Sequence, residues 1–542
     1  MLLPLTVWML LFGVSAGLGV EPAYDPALSQ GVLWAVLASV GLFLAFAWLA
    51  RTAFVIRALA SLLLTAGLLF ALLYISQYGH QGDPDAPALI RQWGAATTFL
   101  PNLGLMYFHP NGAATLLEAL LPLAAAAVLG GRRLIFRLLG LVCLVVLAYA
   151  IFLTASRGAW VGLAAASLLA LLLPLAARLP RAAALALAGL ILALLAGGAW
   201  WVLTGGPQQV PALASTLATA ETRLELYRNS LRLAGDYAFT GIGLGDTFGM
   251  VYSRFSLLIF VPYLTYSHNL PLTVWLGQGL LGLAALAGIV IALYGLVYRV
   301  LQLGAPEAGF HGAWLGVTVS LAHGLTDARQ YTESPWAMPV LFLVFGLAAA
   351  WGRLALRGTP ARLRRLLLRY LAAAAVVGLV VTAAVFLWQR PLLARWHTNQ
   401  GAIAETHAEL TPNLTDAERD GRRRFALDAY RQALAADPDA AYASRRLGNL
   451  LVATGDYAAA VAPLEAAAAA EPDYQAAVKG LGLAYVWVGR IEDAARTLSR
   501  LDDVPGMVGE LYTWSTYRAE IGQPQLSQYA RQAAEALAQA GG

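Results

Sequence analysis

Apolar runs long enough to cross a bilayer dominate this chain and leave it few possible folds. They lie near 3–20, 31–50, 58–76, 113–130, 138–155, 158–177, 182–203, 269–298, 310–325, 337–352 and 371–388, about eleven in all. Each approaches the ~20 helical residues needed to span about 30 Å of hydrocarbon. Backbone in lipid must satisfy its own hydrogen bonds, which runs of this length do as helices. Only 12% of the 542 residues are charged, against roughly 25% in a soluble domain. The expected fold class is all-α: a polytopic transmembrane helix bundle over 1–389, then a soluble helical domain over 390–542. Residues 3–20 would also suit a signal peptide. No basic residue precedes them and further spans follow, so a first span is expected.

Charge divides along the same line. Residues 1–389 hold 21 arginines and 12 acids, whereas 390–542 hold 15 basic and 19 acidic residues. A basic membrane body and a mildly acidic tail do not make a nucleic-acid binder, despite the net charge of +5. Cys143 is the one cysteine, so there is no disulfide framework. Lys479 is the one lysine.

The arginines orient the spans. Arg51 and Arg57, then Arg132, Arg133 and Arg137, then Arg178 and Arg181, then Arg299, then those of 353–369, fall in alternate short loops. Positive loops stay cytoplasmic. The N-terminus is then inside, and 21–30, 77–112, 156–157, 204–268, 326–336 and everything after about 390 are outside. The expected location is the cytoplasmic (inner) membrane of a bacterium, with the tail extracytoplasmic.

Polar residues gather on that outer side. Arg157 follows Ser156 where two apolar runs almost touch, so it lies at the membrane boundary. There it is either a functional charge or an anchor beside Trp160. The loop 204–268 carries Arg223, Arg228 and Arg232 at helical spacing, then Arg254. Arg223 lies near a helix N-terminus, where positive charge is unfavourable without an anion. Arg228 and Arg232 share a face, which also suits a plain solvated helix. Gly241, Gly243 and Gly245 lack the spacing of a nucleotide fingerprint and read as a tight turn. Ser267-His268-Asn269 opens the next span. Ser267 or Asn269 can cap it, which leaves His268 for other work. His323 and Asp327 lie at the outer end of a later span, within reach of that region or merely packing the helices. His109-Pro110-Asn111-Gly112 is a turn before a span. Asp83-Pro84-Asp85 has a spacing that can hold a metal, but these are also ordinary turn residues.

Taken in order, Ser156-Arg157-Gly158, the arginine-bearing helix, the Gly-x-Gly-x-Gly turn and His268-Asn269 before a Gly-rich span resemble the O-antigen ligase and polymerase superfamily. The resemblance covers about 30–350, most closely 150–285, with Asn111 and the His323–Asp327 stretch as flanking signatures. It implies an integral membrane glycosyltransferase in polysaccharide or cell-envelope biosynthesis, transferring glycan from an undecaprenyl diphosphate carrier. The acceptor would be lipid, a second glycan or protein. It also implies no metal and no cofactor. The family's functional residues fall on Arg157, Arg223 and His268, although Arg228 or Arg232 could take the register of Arg223. Arg228, Arg232, Arg254, Asn269, His323, Asp327 and Asn111 are expected as further substrate contacts. The chemistry suits the residues: imidazole titrates near working pH and can take the acceptor proton, and arginine forks match phosphate oxygens.

Beyond 390 a period of 34 appears: Leu447-Gly448 recurs as Leu481-Gly482, Gly455 as Gly489, Ala460 as Ala494, and Pro438 as Pro472. The period resembles tetratricopeptide repeats, with units at about 440–473 and 474–505 and flanking helices at 421–437 and 508–540. Such arrays bind rather than catalyse, so an acceptor, a glycan-pathway partner or an envelope protein is the expected ligand there. The rival class for the whole chain is a transporter, or a scaffold displaying the repeats. A transporter would need paired charges at mid-membrane, and Glu118 is almost the only acid within a span.

Overall fold

The computed structural model describes residues 2–84, 86–102, 108–131, 133–180, 182–183, 186, 211–304, 306–332, 335–357 and 388–540, with backbone alone for 211–221. The described residues are helices, turns and loops, without strands. Among the described residues, seven helices are long and apolar enough to cross a membrane: Ala27–Leu49, Ala53–Gln81, Pro110–Gly130, Leu134–Leu153, Arg157–Arg178, Leu270–Gln302 and Pro335–Ala355. Leu3–Leu18 and Ala308–His323 are also helices, of 16 residues each. The expected spans at 182–203 and 371–388 fall almost wholly outside the described residues, as do Arg132, Arg181 and Asp85.

Local chemistry sets the helix starts. The Thr52, Ser156 and Asn269 side chains each accept a backbone N–H of the turn they precede, which satisfies a donor the helix leaves open. The Leu270–Gln302 helix breaks at Gly279, where φ is 67°. That break lets Leu280 N donate to Phe239 O at 3.3 Å. The Gly241-Ile242-Gly243-Leu244-Gly245 segment is a tight turn packed into this notch, with Ile242 N on Leu276 O (2.7 Å) and Leu244 N on Gly19 O (2.7 Å).

Helix Ala308–His323 is the centre of the bundle. Gly312 and Gly316 bring it against the backbone of Pro110–Gly130, and Gly162 brings Arg157–Arg178 against Val319. Backbones approach this closely only where no side chain intervenes. The loops sort into two ends. At one, Arg57 pairs with Glu307 (2.9 Å), and Arg353 donates to Trp48 O and Ala50 O. The other end carries the glycine turn, the 324–332 loop and the tail.

In the tail, helices Ala441–Thr454 and Tyr457–Ala470 form one pair, and Gln475–Trp487 and Ile491–Leu498 the next. The 34-residue period reappears as equivalent contacts. Gly448 packs on Leu464 as Gly482 packs on Leu498, and Gly455 (φ 87°) and Gly489 (φ 78°) each end a first helix. Pairs Gln389–Leu410 with Asp416–Ala436, and Val504–Glu520 with Pro524–Ala540, flank them. The helical tail therefore starts a full helix pair before the sequence repeat.

Candidate functional site

The loop after helix Ala308–His323 is where the polar elements meet. Arg223 Nη1 donates to Thr326 O at 2.8 Å. Tyr227, one turn on, donates to His268 O (3.0 Å) and Leu325 O (3.4 Å). Asn269 Nδ2 donates to Leu325 O at 3.0 Å. Gly158, beside Arg157, lies against the His323 ring and Thr326. Three elements distant in sequence thus meet the 323–327 segment: the start of the Arg157 helix through Gly158, the helix of Arg223, and the His268-Asn269 turn.

Arg157 is exposed at the first position of its helix. A cation there opposes the helix dipole unless an anion is bound, and the same end presents open N–H groups. Arg223 and His268 are partly exposed. Contrary to expectation, Arg223 is not near a helix N-terminus, because its helix begins at Pro211 and places it in the interior. His268 has φ 52° and its ring packs on Tyr266 at 4.2 Å; Ala155, just before Ser156-Arg157, also has φ 52°. Non-glycine residues reach this region only when their surroundings hold them there. Burial pushes the Tyr227 phenol above its ordinary pKa, with Arg223 opposing, so its proton stays in place to hold the His268 carbonyl.

Beneath lies a buried layer. His323 Nδ1 is 2.8 Å from Glu118 Oε2, and its Nε2 is 3.5 Å from Ser156 Oγ. Asp327 is buried and ties three segments together: it accepts from Asn111 Nδ2 (3.1 Å), Tyr266 OH (2.9 Å) and Arg329 N (2.9 Å). Asn111 and Asp327, both expected from the sequence, therefore touch each other. Glu118, Tyr227 and Tyr266 were not expected. A lone acid in an apolar run was the signal for Glu118; nothing local marks the two tyrosines.

Arg232 and Arg254, also expected from the sequence, lie apart. Arg228 is exposed on the same helix as Arg223. Arg232 stacks on Tyr474 at 4.5 Å, and Arg254 pairs with Glu409 at 3.3 Å. The structure brings neither to the 323–327 loop; both face the tail. Asp83 lies in the loop before Ala88–Ala95. Among the described residues no cluster of three or more His, Cys, Asp or Glu has the arrangement of a metal site.

Fold and site together define a multi-pass, all-helical membrane protein with a polar, arginine-lined site at one end of its bundle and a helical repeat domain docked beside it. Residues 115–287 match the family described as O-antigen ligase, and residues 451–504 match the tetratricopeptide repeat family. The middle of the membrane body is thus similar to O-antigen ligases, and part of the tail is similar to tetratricopeptide repeats. A search of curated proteins gives no match.

Proposed function

We propose that this protein is a metal-independent glycosyltransferase that moves a glycan from an undecaprenyl diphosphate carrier to an acceptor hydroxyl at the outer face of the cytoplasmic membrane. The observation that carries the reading is the convergence on one loop of Arg223, through its bond to Thr326 O, of His268, through Tyr227 and the bond of Asn269 to Leu325 O, and of Arg157, through its neighbour Gly158. An anionic leaving group and an ionisable base are what glycosyl transfer from a lipid diphosphate requires.

His268 takes the acceptor proton as the new bond forms between the acceptor oxygen and the anomeric carbon. The bond from that carbon to the phosphate oxygen breaks, and the diphosphate leaves with the electron pair. Arg157, with the open N–H groups of its helix start, and Arg223 stabilise the departing charge. The buried Glu118–His323 pair and Asp327 hold the loop that sets their spacing.

The test uses purified protein in lipid, with an undecaprenyl diphosphate-linked glycan and candidate acceptors. Loss of donor is followed by mass spectrometry with EDTA present. Wild type should consume donor, and His268→Ala should slow consumption roughly 100-fold or more. Full activity of His268→Ala would overturn the assignment of the base. One product would mark ligation to an acceptor, and a ladder would mark polymerisation.

A further inference from the structure

Tetratricopeptide stacks bind ligands on the surface formed by successive repeats. In this protein that surface is not vacant. Arg445 and Arg446 of Ala441–Thr454, Tyr474 and Lys479 at and after the start of Gln475–Trp487, and Glu510 of Val504–Glu520 surround a short stretch of the membrane body. Tyr474 OH donates to Ser256 Oγ (3.3 Å), and the Arg446 guanidinium lies 4.1 Å over the Phe255 ring. Lys479 Nζ donates to Leu257 O (3.4 Å), Leu258 O (3.2 Å) and Glu510 Oε2 (2.7 Å).

The gripped stretch, Ser253–Leu257, is a wide π-turn that ends at Leu258 with φ 52°. A helix end leaves carbonyls without partners and carries partial negative charge. Lys479 caps two of them. An ammonium has three donors, and here they meet three acceptors. Every other basic residue of the chain that is not histidine is arginine. A flat guanidinium fork does not suit three acceptors converging on a point, whereas a compact ammonium does.

The same repeat faces hold the arginine helix. Arg445 Nη2 meets both oxygens of Asp236 (2.8 and 2.7 Å), and Arg446 Nη2 donates to Tyr237 OH (2.7 Å). Asp236 ends the helix that carries Arg223 and Tyr227. The π-turn, for its part, leads through Tyr263, whose N–H is held by Ser253 Oγ (2.9 Å), to Tyr266 and His268.

We infer that the repeat domain is a brace acting in cis: its binding surface takes the chain's own 253–258 turn as ligand, with Lys479 as the latch. By gripping this turn and the Asp236 end together, it fixes the spacing between Arg223 and His268. A separate protein reaches this surface only by displacing the turn. The consequence for transfer rests on the proposed function; the occupancy of the surface does not.

A single lysine makes the occupancy measurable. Full-length protein in lipid is treated with an amine-acetylating ester, and Lys479 modification is timed by mass spectrometry against a free lysine model amine. Lys479 should react at least about 100-fold more slowly than the model amine, and Asp236→Asn should restore most of its reactivity. Wild-type Lys479 reacting at the model rate would overturn the inference. Lys479→Met should also raise amide exchange across 253–268. It should lower kcat about tenfold or more, on the scale of a small misplacement of reacting groups, with donor KM within about twofold. Raised exchange with unchanged kcat would refute the positioning role. If wild type transfers no glycan to any acceptor, the functional reading fails, while the labelling result still decides the brace.

Discussion

The Asp236–Arg445 contact sets the largest single expectation for the junction between membrane body and tail. Asp236 is 0% and Arg445 1% exposed, with contacts of 2.7 and 2.8 Å. Arg446 Nε adds a second positive charge 3.8 Å from Asp236. Asp236→Asn keeps the shape and removes the charge, leaving two guanidinium groups short of their counter-ion. Breaking a buried pair from one side costs about 3–5 kcal/mol. Glu405, 3.3 Å from Arg446, still compensates that arginine, so the lower end, about 3 kcal/mol, applies. That is roughly a 100-fold shift in the local opening equilibrium. The assay is amide exchange by mass spectrometry on the lipid-reconstituted chain. Peptides covering 441–454 and 231–240 should exchange about 100-fold faster in Asp236→Asn. Adding Arg445→Met should recover much of the protection, because removing both charges relieves the buried imbalance. Unchanged exchange in Asp236→Asn, or a double variant worse than the sum of the singles, would refute the reasoning.

Two further outcomes follow from local geometry. Gly279→Ala places a methyl on Phe239 O at φ 67°, a backbone region costing about 1–3 kcal/mol for other residues. It should lower the thermal midpoint of the lipid-reconstituted protein, whereas Gly295→Ala, with open space around it, should not. Burial pushes the His407 imidazole below its ordinary pKa, and its Nε2 lies 3.2 Å from Pro22 O. Burial is what depresses the value, while the Pro22 carbonyl accepts from Nε2–H in either form. The stability gained by burying the neutral ring is fully present above the unfolded value of about 6.5 and is lost as pH falls toward the folded value. Exchange in 19–26 should therefore rise as pH falls below about 6.5, and His407→Gln should flatten that rise.

Much of the architecture was legible because it is local. Spans are stretches of consecutive residues, so nine of the expected runs correspond to described helices without any knowledge of packing. Ser156 and Asn269 cap helices by reaching three residues ahead, and a 34-residue period is visible in one dimension. The nearness of Arg157, Arg223 and His268 was an expectation carried by a family resemblance, not by the residues themselves.

What the tertiary structure alone decided lies in contacts across long separations. Glu118 and His323 are 205 residues apart and share a hydrogen bond; Asn111 and Asp327 are 216 apart. The sequence places Arg223 among the family's functional residues and expects Arg232 and Arg254 as further substrate contacts, since all are arginines in one polar loop. Their burial against Tyr474 and Glu409 depends on where the tail docks. In the sequence Lys479 is notable only as the one lysine, and only the fold brings two carbonyls and a carboxylate around it. Helix formation is a property of neighbours along the chain, whereas the partner of a charge depends on the path of every segment between.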